Sequence, residues 1–180
     1  MLRHVWRFVR KPSYVPYSKV PLRLKWKIFL NVLGWNFAFG IGLALFLNGL
    51  ATFLNIDIGG HKTEDLFEKY SFIIIFFLMV LIAPIIEEFI FRGPLIFFRK
   101  SSYFPWVYYF SCLLFGLVHL GNFDNANNLL WLTPILVAPQ VVMGFFLGFL
   151  RVRLGLRYAV LMHMSHNGIL FLLISSSELL

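Results

Sequence analysis

Ionisable and amide side chains interrupt otherwise apolar stretches of this 180-residue chain. Placing a charged group in the middle of a lipid bilayer costs at least about 2.5 kcal/mol, so such residues are rare there and usually serve a function. These groups are therefore the candidates for chemistry. They are Glu87, Glu88, Arg92, His119, His163, His166 and Asn167.

The two adjacent glutamates differ in the partners that an α-helix gives them. Residues four apart lie on one helix face, whereas neighbours are about 100° apart around the axis. Glu88 and Arg92 can therefore form an ion pair, while Glu87 has no partner nearby in sequence. Pro84 lacks an N–H and leaves a backbone carbonyl unpaired just before Glu87. This pattern predicts that Glu87 takes part in chemistry and that Glu88 and Arg92 support the scaffold.

Counting residues from the predicted turns estimates the depth of each group. A turn near Tyr103 would fold two apolar blocks into an antiparallel hairpin, with Glu87 sixteen residues before it and His119 sixteen after it. Both would then lie about 20–25 Å from the turn. His163 and Asn167 are four residues apart and share a helix face. Counting from the basic turn before them places His163 about 10 Å shallower than the other two groups.

These groups have the chemistry needed to hydrolyse an amide. A carboxylate and an imidazole at one depth can hold and deprotonate a water molecule, and a second imidazole beside an amide donor can stabilise an oxyanion. Glu87, His119 and His163 are also three potential metal ligands, and three protein ligands plus water is the usual catalytic zinc arrangement. The residues therefore leave two routes open, one without a cofactor and one with a divalent metal such as zinc.

The elements that must carry these groups are transmembrane helices. The chain is 59% hydrophobic and only 13% charged, whereas soluble domains are roughly 25% charged. Its apolar residues form five blocks that reach or approach the roughly 20 residues that a spanning helix needs, and none alternates as a barrel strand would. The sequence predicts an all-α integral membrane bundle of about five transmembrane helices, over residues 28–54, 71–98, 103–120, 129–150 and 158–174.

Charge between the blocks predicts the orientation. Eight of the sixteen Lys and Arg residues precede the first block, and basic connectors alternate with neutral or acidic ones at successive crossings, as the positive-inside rule requires. The connector over residues 55–70 is the acidic one, with Asp57, Glu64, Asp65 and Glu68. We therefore expect a basic cytoplasmic N-terminal tail over residues 1–27, a membrane domain over residues 28–180, and a C-terminus on the opposite side.

The net charge of +8 indicates membrane partners. A basic juxtamembrane segment sets topology and contacts anionic headgroups, so no nucleic-acid partner is expected. Cys112 is the one cysteine, which excludes an intrachain disulfide. The expected partners are the lipid bilayer and a peptide or protein substrate; the oligomeric state is left open.

The motifs resemble those of the CPBP (Abi/CAAX protease) family, which includes the Ras-converting CAAX endoproteases. The family's Glu-Glu-x-x-x-Arg, Phe-x-x-x-His and His-x-x-x-Asn motifs match residues 87–92, 115–119 and 163–167, in family order. Gln140, Gly144 and Gly148 also resemble the family's glycine-bearing helix. The resemblance covers about residues 70–175.

This resemblance implies an intramembrane endopeptidase. Glu87 and His119 would activate water, His163 and Asn167 would form the oxyanion site, and Glu88 and Arg92 would hold the scaffold. Eukaryotic members resemble glutamate-dependent, metal-free proteases. Prokaryotic members of similar size process peptides or confer bacteriocin self-immunity, which points to a bacterial plasma membrane and to substrates that need not carry a CAAX sequence.

Two other functional classes compete with a peptidase. A catalytically idle relative could act as a bacteriocin-immunity or membrane scaffold protein, although all four catalytic positions are present here. A small transporter would place intramembrane charges along a pathway, but it should show two similar halves with interrupted helices, and this sequence has no such symmetry. The peptidase is the preferred hypothesis.

Overall fold

The computed structural model describes residues 1–59, 67, 69–123 and 125–178. Most of the predicted acidic connector, including Glu64, Asp65 and Glu68, lies outside these residues. In the described part the chain is helical, and we number its elements α1 to α6 in chain order. They are α1 (Leu2–Arg10), α2 (Leu22–Leu54), α3 (Phe72–Ile96), α4 (Phe104–Asn122), α5 (Asn128–Arg153) and α6 (Leu156–Glu178).

Five of the described helices, α2 to α6, are long and apolar enough to cross a membrane. The predicted all-α bundle with about five spans is therefore confirmed, and the chain is a multi-pass integral membrane protein. Helix α5 is the most buried span and packs against α2, α4 and α6. Because the helices alternate in direction, the start of α2, the α3–α4 turn and the α5–α6 turn lie at one end, which we call the basic end.

Helix α3 changes its winding before the adjacent glutamates. A short α-helical turn, Phe72–Ile75, is followed by a π-helical segment, Phe76–Ile82, and then by α-helix over Ala83–Phe91. In π-helical winding the carbonyl of Met79 would pair with the N–H of residue 84, and Pro84 has none. The side-chain amide of Asn167 donates to the Met79 carbonyl instead, at 2.8 Å. A side chain of a neighbouring helix thus donates a hydrogen bond to a carbonyl close to Pro84.

Small residues let α4 and α5 approach closely. A Cβ atom added at Gly148 would lie 2.5 Å from the ring of Tyr108, and one at Gly144 would lie 3.2 Å from both Arg92 and Cys112. Gly144 and Gly148 are four residues apart, which is the small-xxx-small pattern of close helix pairs in membranes. The space that these glycines leave is therefore filled by side chains of α3 and α4.

The N-terminal segment is folded onto the basic end of the bundle. The ring of Phe8 in α1 is buried and meets the rings of Tyr108 and Phe149 edge-on, at 5.1 and 5.5 Å between centroids. The hydroxyl of Tyr109 donates to the carbonyl of Val9 at 2.6 Å. The basic segment before the first span thus has an apolar face that joins the main core of the bundle.

Candidate active site

Glu88 and Arg92 form a fully buried ion pair on α3. Both side chains are 0% exposed, and Nη1 of Arg92 lies 3.1 Å from Oε1 of Glu88. The guanidinium group also lies over the ring of Phe115, 4.0 Å from its centroid, which is favourable for a desolvated cation. The pairing that the four-residue spacing predicts is therefore present, with an aromatic ring of α4 as a third member.

A second arginine holds the end of this segment in place. Nε of Arg151, which is buried on α5, donates to the backbone carbonyl of Arg92 at 2.9 Å, and its Nη1 donates to the hydroxyl of Tyr14 at 3.3 Å. Arg151 thus ties the end of the glutamate-bearing helix to the N-terminal segment. No role for Arg151 was predicted from the sequence.

Glu87 faces two histidines from two other helices. Its Oε2 atom lies 3.9 Å from Nε2 of His119 and 3.8 Å from Nε2 of His163. These separations exceed direct hydrogen-bond lengths. Oε2 is inaccessible to solvent and has no hydrogen-bond partner among the described residues. The structure therefore gathers α3, α4 and α6 around one unsatisfied carboxylate oxygen.

The depth predicted for His163 is wrong. Counting placed its ring about 10 Å shallower than Glu87, but the two side chains are neighbours. The count assumed regular helix up to Tyr103, whereas the α-helix ends at Phe91 and the chain forms turns over residues 97–100 and 102–103. Glu87 is therefore closer to the basic end than its sequence separation suggested.

Glu88 orients the imidazole of His163. Nδ1 of His163 donates to Oε1 of Glu88 at 3.2 Å, and the ring is buried. A carboxylate only accepts hydrogen bonds, so Nδ1 carries the proton and Nε2 is the atom presented to Glu87. The sequence assigned Glu88 to the scaffold through Arg92 and missed this second contact, because it joins residues of two helices that are far apart in the chain.

A backbone carbonyl fixes the tautomer of His119. Its Nδ1 donates to the carbonyl of Phe115 at 2.7 Å, across one turn at the end of the α-helical part of α4. In the neutral ring Nε2 is then an acceptor. Nε2 of His119 is also the atom that faces Glu87. The imidazole of His119 and the carboxylate of Glu87 therefore offer two hydrogen-bond acceptors to a molecule bound between them.

Asn167 lies one helical turn beyond His163 on α6. One of its amide hydrogens is used by the Met79 carbonyl, which leaves the second as a potential donor. The intervening His166 points elsewhere: Asn36 donates to its Nδ1 at 3.0 Å, and its ring lies 4.6 Å from that of Phe37. Asn36 is buried in the middle of α2. Its polarity within an apolar span was a signal that sequence reasoning overlooked.

Metal ligation was one of the two routes left open by the sequence, with Glu87, His119 and His163 as ligands. Within the described ranges, no group of three His, Cys, Asp or Glu side chains is arranged to hold a metal ion. The distances of 3.8–3.9 Å separate one candidate ligand atom from another, so they do not decide between the two routes. The route with a metal and the route without one both stay predictions.

A protein-family model matches this chain. The model of the family described as type II CAAX prenyl endopeptidase Rce1-like matches residues 69–169, which is more than half of the chain. No curated protein and no solved structure matches the chain. The matched range runs from just before α3 into α6 and includes Glu87, His119, His163 and Asn167.

Proposed function

The chain belongs to the type II CAAX prenyl endopeptidase Rce1-like family of CAAX-type intramembrane proteases, and we propose that it hydrolyses a peptide bond with water activated by Glu87 and His119. The family assignment agrees with the resemblance drawn from the sequence motifs. The observation that carries the catalytic assignment is the position of Oε2 of Glu87, which lies 3.8–3.9 Å from Nε2 of two histidines and has no direct partner in the described residues.

The first step places a water molecule between Glu87 and His119. Each group offers an acceptor, so both hydrogens of the water can be bound at once and its oxygen lone pair is directed away from them. The carboxylate of Glu87 takes one proton as the water oxygen bonds to the carbonyl carbon of the substrate. The carbonyl π bond breaks, and its electron pair becomes an oxyanion on a tetrahedral intermediate.

His163 and Asn167 donate hydrogen bonds to the oxyanion. Nε2 of His163 donates when the ring carries both protons, and Glu88, which accepts from Nδ1, keeps this atom directed at the site. The second amide hydrogen of Asn167 is the other donor. Such preorganised donors typically contribute about 2.7–4 kcal/mol each to the transition state. Collapse of the intermediate breaks the C–N bond, and the proton held by Glu87 passes to the leaving amine.

Cleavage of a peptide library by the purified protein tests this proposal. The library contains prenylated peptides that end in a CAAX sequence and unprenylated membrane peptides. We expect wild-type cleavage, and loss of at least about 100-fold in kcat in Glu87→Gln and His119→Ala, as removal of a general base produces. Asp57→Asn is the matched control, because it also turns a carboxylate into an amide but lies beyond the far end of α2. Full turnover by Glu87→Gln would refute the assignment.

A chelator separates the two routes to an activated water. The proposal requires no metal, so we expect wild-type cleavage to be unchanged after prolonged treatment with a strong chelator and removal of the chelated ions. Loss of activity that added zinc restores would instead assign Glu87, His119 and His163 as ligands. Absence of cleavage for every peptide, with correctly folded protein, would favour an idle immunity or scaffold protein.

The site of action proposed is a bacterial plasma membrane, with the basic end and the N-terminus cytoplasmic. The charge asymmetry between the two ends supports this orientation. Reporter fusions to each terminus test it: a fluorescent protein should mature on the N-terminus, and a phosphatase should be active on the C-terminus. The reversed pattern would overturn the orientation without affecting the proposed chemistry.

A further inference from the structure

An apolar groove runs down the outside of the bundle between the start of α2, α3 and the first turns of α6. Its volume is about 720 Å³, and Arg157 is the one charged residue among those that line it. Apolar residues from the three helices form the rest of the wall. They include Trp26, Ile85, Phe89, Leu161 and Met164.

The groove lies on the opposite side of α3 from the candidate catalytic carboxylate. Ile85 and Phe89 are four residues apart and share the face of α3 that lines the groove. Glu87 is two residues from each, which places it roughly 160–200° away around the helix axis. A molecule in this groove would therefore not reach Glu87 through α3, and its binding is independent of the proposed hydrolysis.

Arg157 marks one end of the groove at the level where a bilayer surface is expected. Its guanidinium lies 5.3 Å from the ring centroid of Tyr158, and Trp26 contacts the same ring at 6.2 Å between centroids. Trp and Tyr are enriched where headgroups meet the hydrocarbon. From Arg157 to Met164 the groove follows α6 for about 10 Å toward the bilayer interior. Its polar end and apolar length match the two parts of a lipid.

Charge selects the kind of lipid. Arg157 is exposed and forms no ion pair with Asp57, Glu87 or Glu88. Asp57 follows the opposite end of α2, and Glu87 and Glu88 face the active site. Several further cations surround the same end, and they add to the attraction of an anion. They are Arg23, Lys25, Lys27, Arg99 and Lys100.

We propose that this groove is a binding site for an anionic glycerophospholipid. The guanidinium of Arg157 binds the phosphate with charge-assisted hydrogen bonds, and one acyl chain lies along Trp26, Phe89 and Met164. The other lipid-facing surfaces contact a mobile annulus of lipid, whereas this site holds one lipid with a preferred headgroup. The bound lipid joins α2 to α3 and α6, the two helices that carry Glu87 and His163.

Native mass spectrometry of the purified full chain tests the site. The protein is exchanged into detergent with equal amounts of dioleoyl-phosphatidylglycerol and dioleoyl-phosphatidylcholine, which differ only in the headgroup. We expect one retained phosphatidylglycerol per chain, and a five- to tenfold smaller preference for it in Arg157→Gln. Both lipids carry the phosphate, but only phosphatidylcholine adds a cationic choline, and the variant removes the repulsion between that choline and Arg157. Arg99→Gln, which removes a cation at the same end but outside the groove, should lower the preference clearly less than Arg157→Gln does.

A second variant tests the acyl-chain part of the site. Val160→Trp narrows the groove without changing charge, and it should reduce retention of both lipids. Equal retention of the two lipids by the wild type would overturn the proposal. Equal losses of the preference for phosphatidylglycerol in Arg157→Gln and Arg99→Gln would also overturn it, because they would indicate diffuse attraction to a basic surface. Unchanged lipid retention in both Arg157→Gln and Val160→Trp would overturn it as well.

Discussion

Nδ1 of His163 lies 3.2 Å from Oε1 of Glu88. Glu88 therefore holds the imidazole ring of His163, and the other ring nitrogen, Nε2, faces Glu87. Glu88 also pairs with Arg92, and both members of that pair are fully buried. The two adjacent carboxylates thus differ in environment. One is enclosed by fixed partners, and the other is 27% exposed beside two histidines.

This difference predicts opposite effects of one isosteric change at the two positions. Glu87→Gln should fold like the wild type and lose catalytic activity. Glu88→Gln leaves the buried Arg92 charge uncompensated, and it should lower the free energy of unfolding by about 3–5 kcal/mol. Unfolding in mixed micelles and cleavage rates, measured on the same preparations, check both. Equal stability of the two variants would contradict the division of roles.

The close approach of α4 and α5 predicts a cost for one added methyl group. Gly148→Ala places a Cβ atom 2.5 Å from the ring of Tyr108, and overpacking of this kind costs about 1–3 kcal/mol. The measurement is the shift in thermal unfolding in detergent. Gly34→Ala is the control, because no atom lies within 4 Å of its added Cβ, and it should be neutral or slightly stabilising since alanine favours helix.

The hydrogen bond between Asn36 and His166 predicts energetic coupling between α2 and α6. A double-mutant cycle with Asn36→Ala, His166→Ala and the double variant should give a coupling energy of about 0.6 kcal/mol, the average for interhelical hydrogen bonds in membranes, and at most about 1.7 kcal/mol. If the losses in the free energy of unfolding of the two single variants add up to that of the double variant, the 3.0 Å contact contributes nothing to stability. A cycle between Asn36 and Asn31, which donates to the Lys27 carbonyl of its own helix, serves as the reference.

The docking of α1 predicts that the basic N-terminal segment resists protease. Phe8→Ala removes a side chain that is only 2% exposed in the core at the basic end, so trypsin should cut after Arg10 several-fold faster than in the wild type. Trp6→Ala changes an aromatic residue of the same helix that is 60% exposed and should leave the rate unchanged. Equally fast cleavage of wild type and Phe8→Ala would mean that α1 is not held on the bundle.

Much of this architecture follows from local rules. An apolar block of about 20 residues has to become a helix in lipid, because lipid cannot satisfy backbone polar groups. For the same reason the five spans were predictable within a few residues. The Glu88–Arg92 pair was predictable too, since both members lie on one helix and its geometry sets their separation. The family motifs lie on those same spans.

Contacts between helices were not accessible in this way. The depth of His163 was misjudged because the α-helix before the α3–α4 turn ends at Phe91 and turns follow, and residue counts then no longer measure distance. The bonds of His163 to Glu88, of Asn167 to Met79 and of Asn36 to His166 each join two helices. Which atoms meet across such an interface depends on helix tilt and rotation, and the packing of residues far apart in the chain decides both.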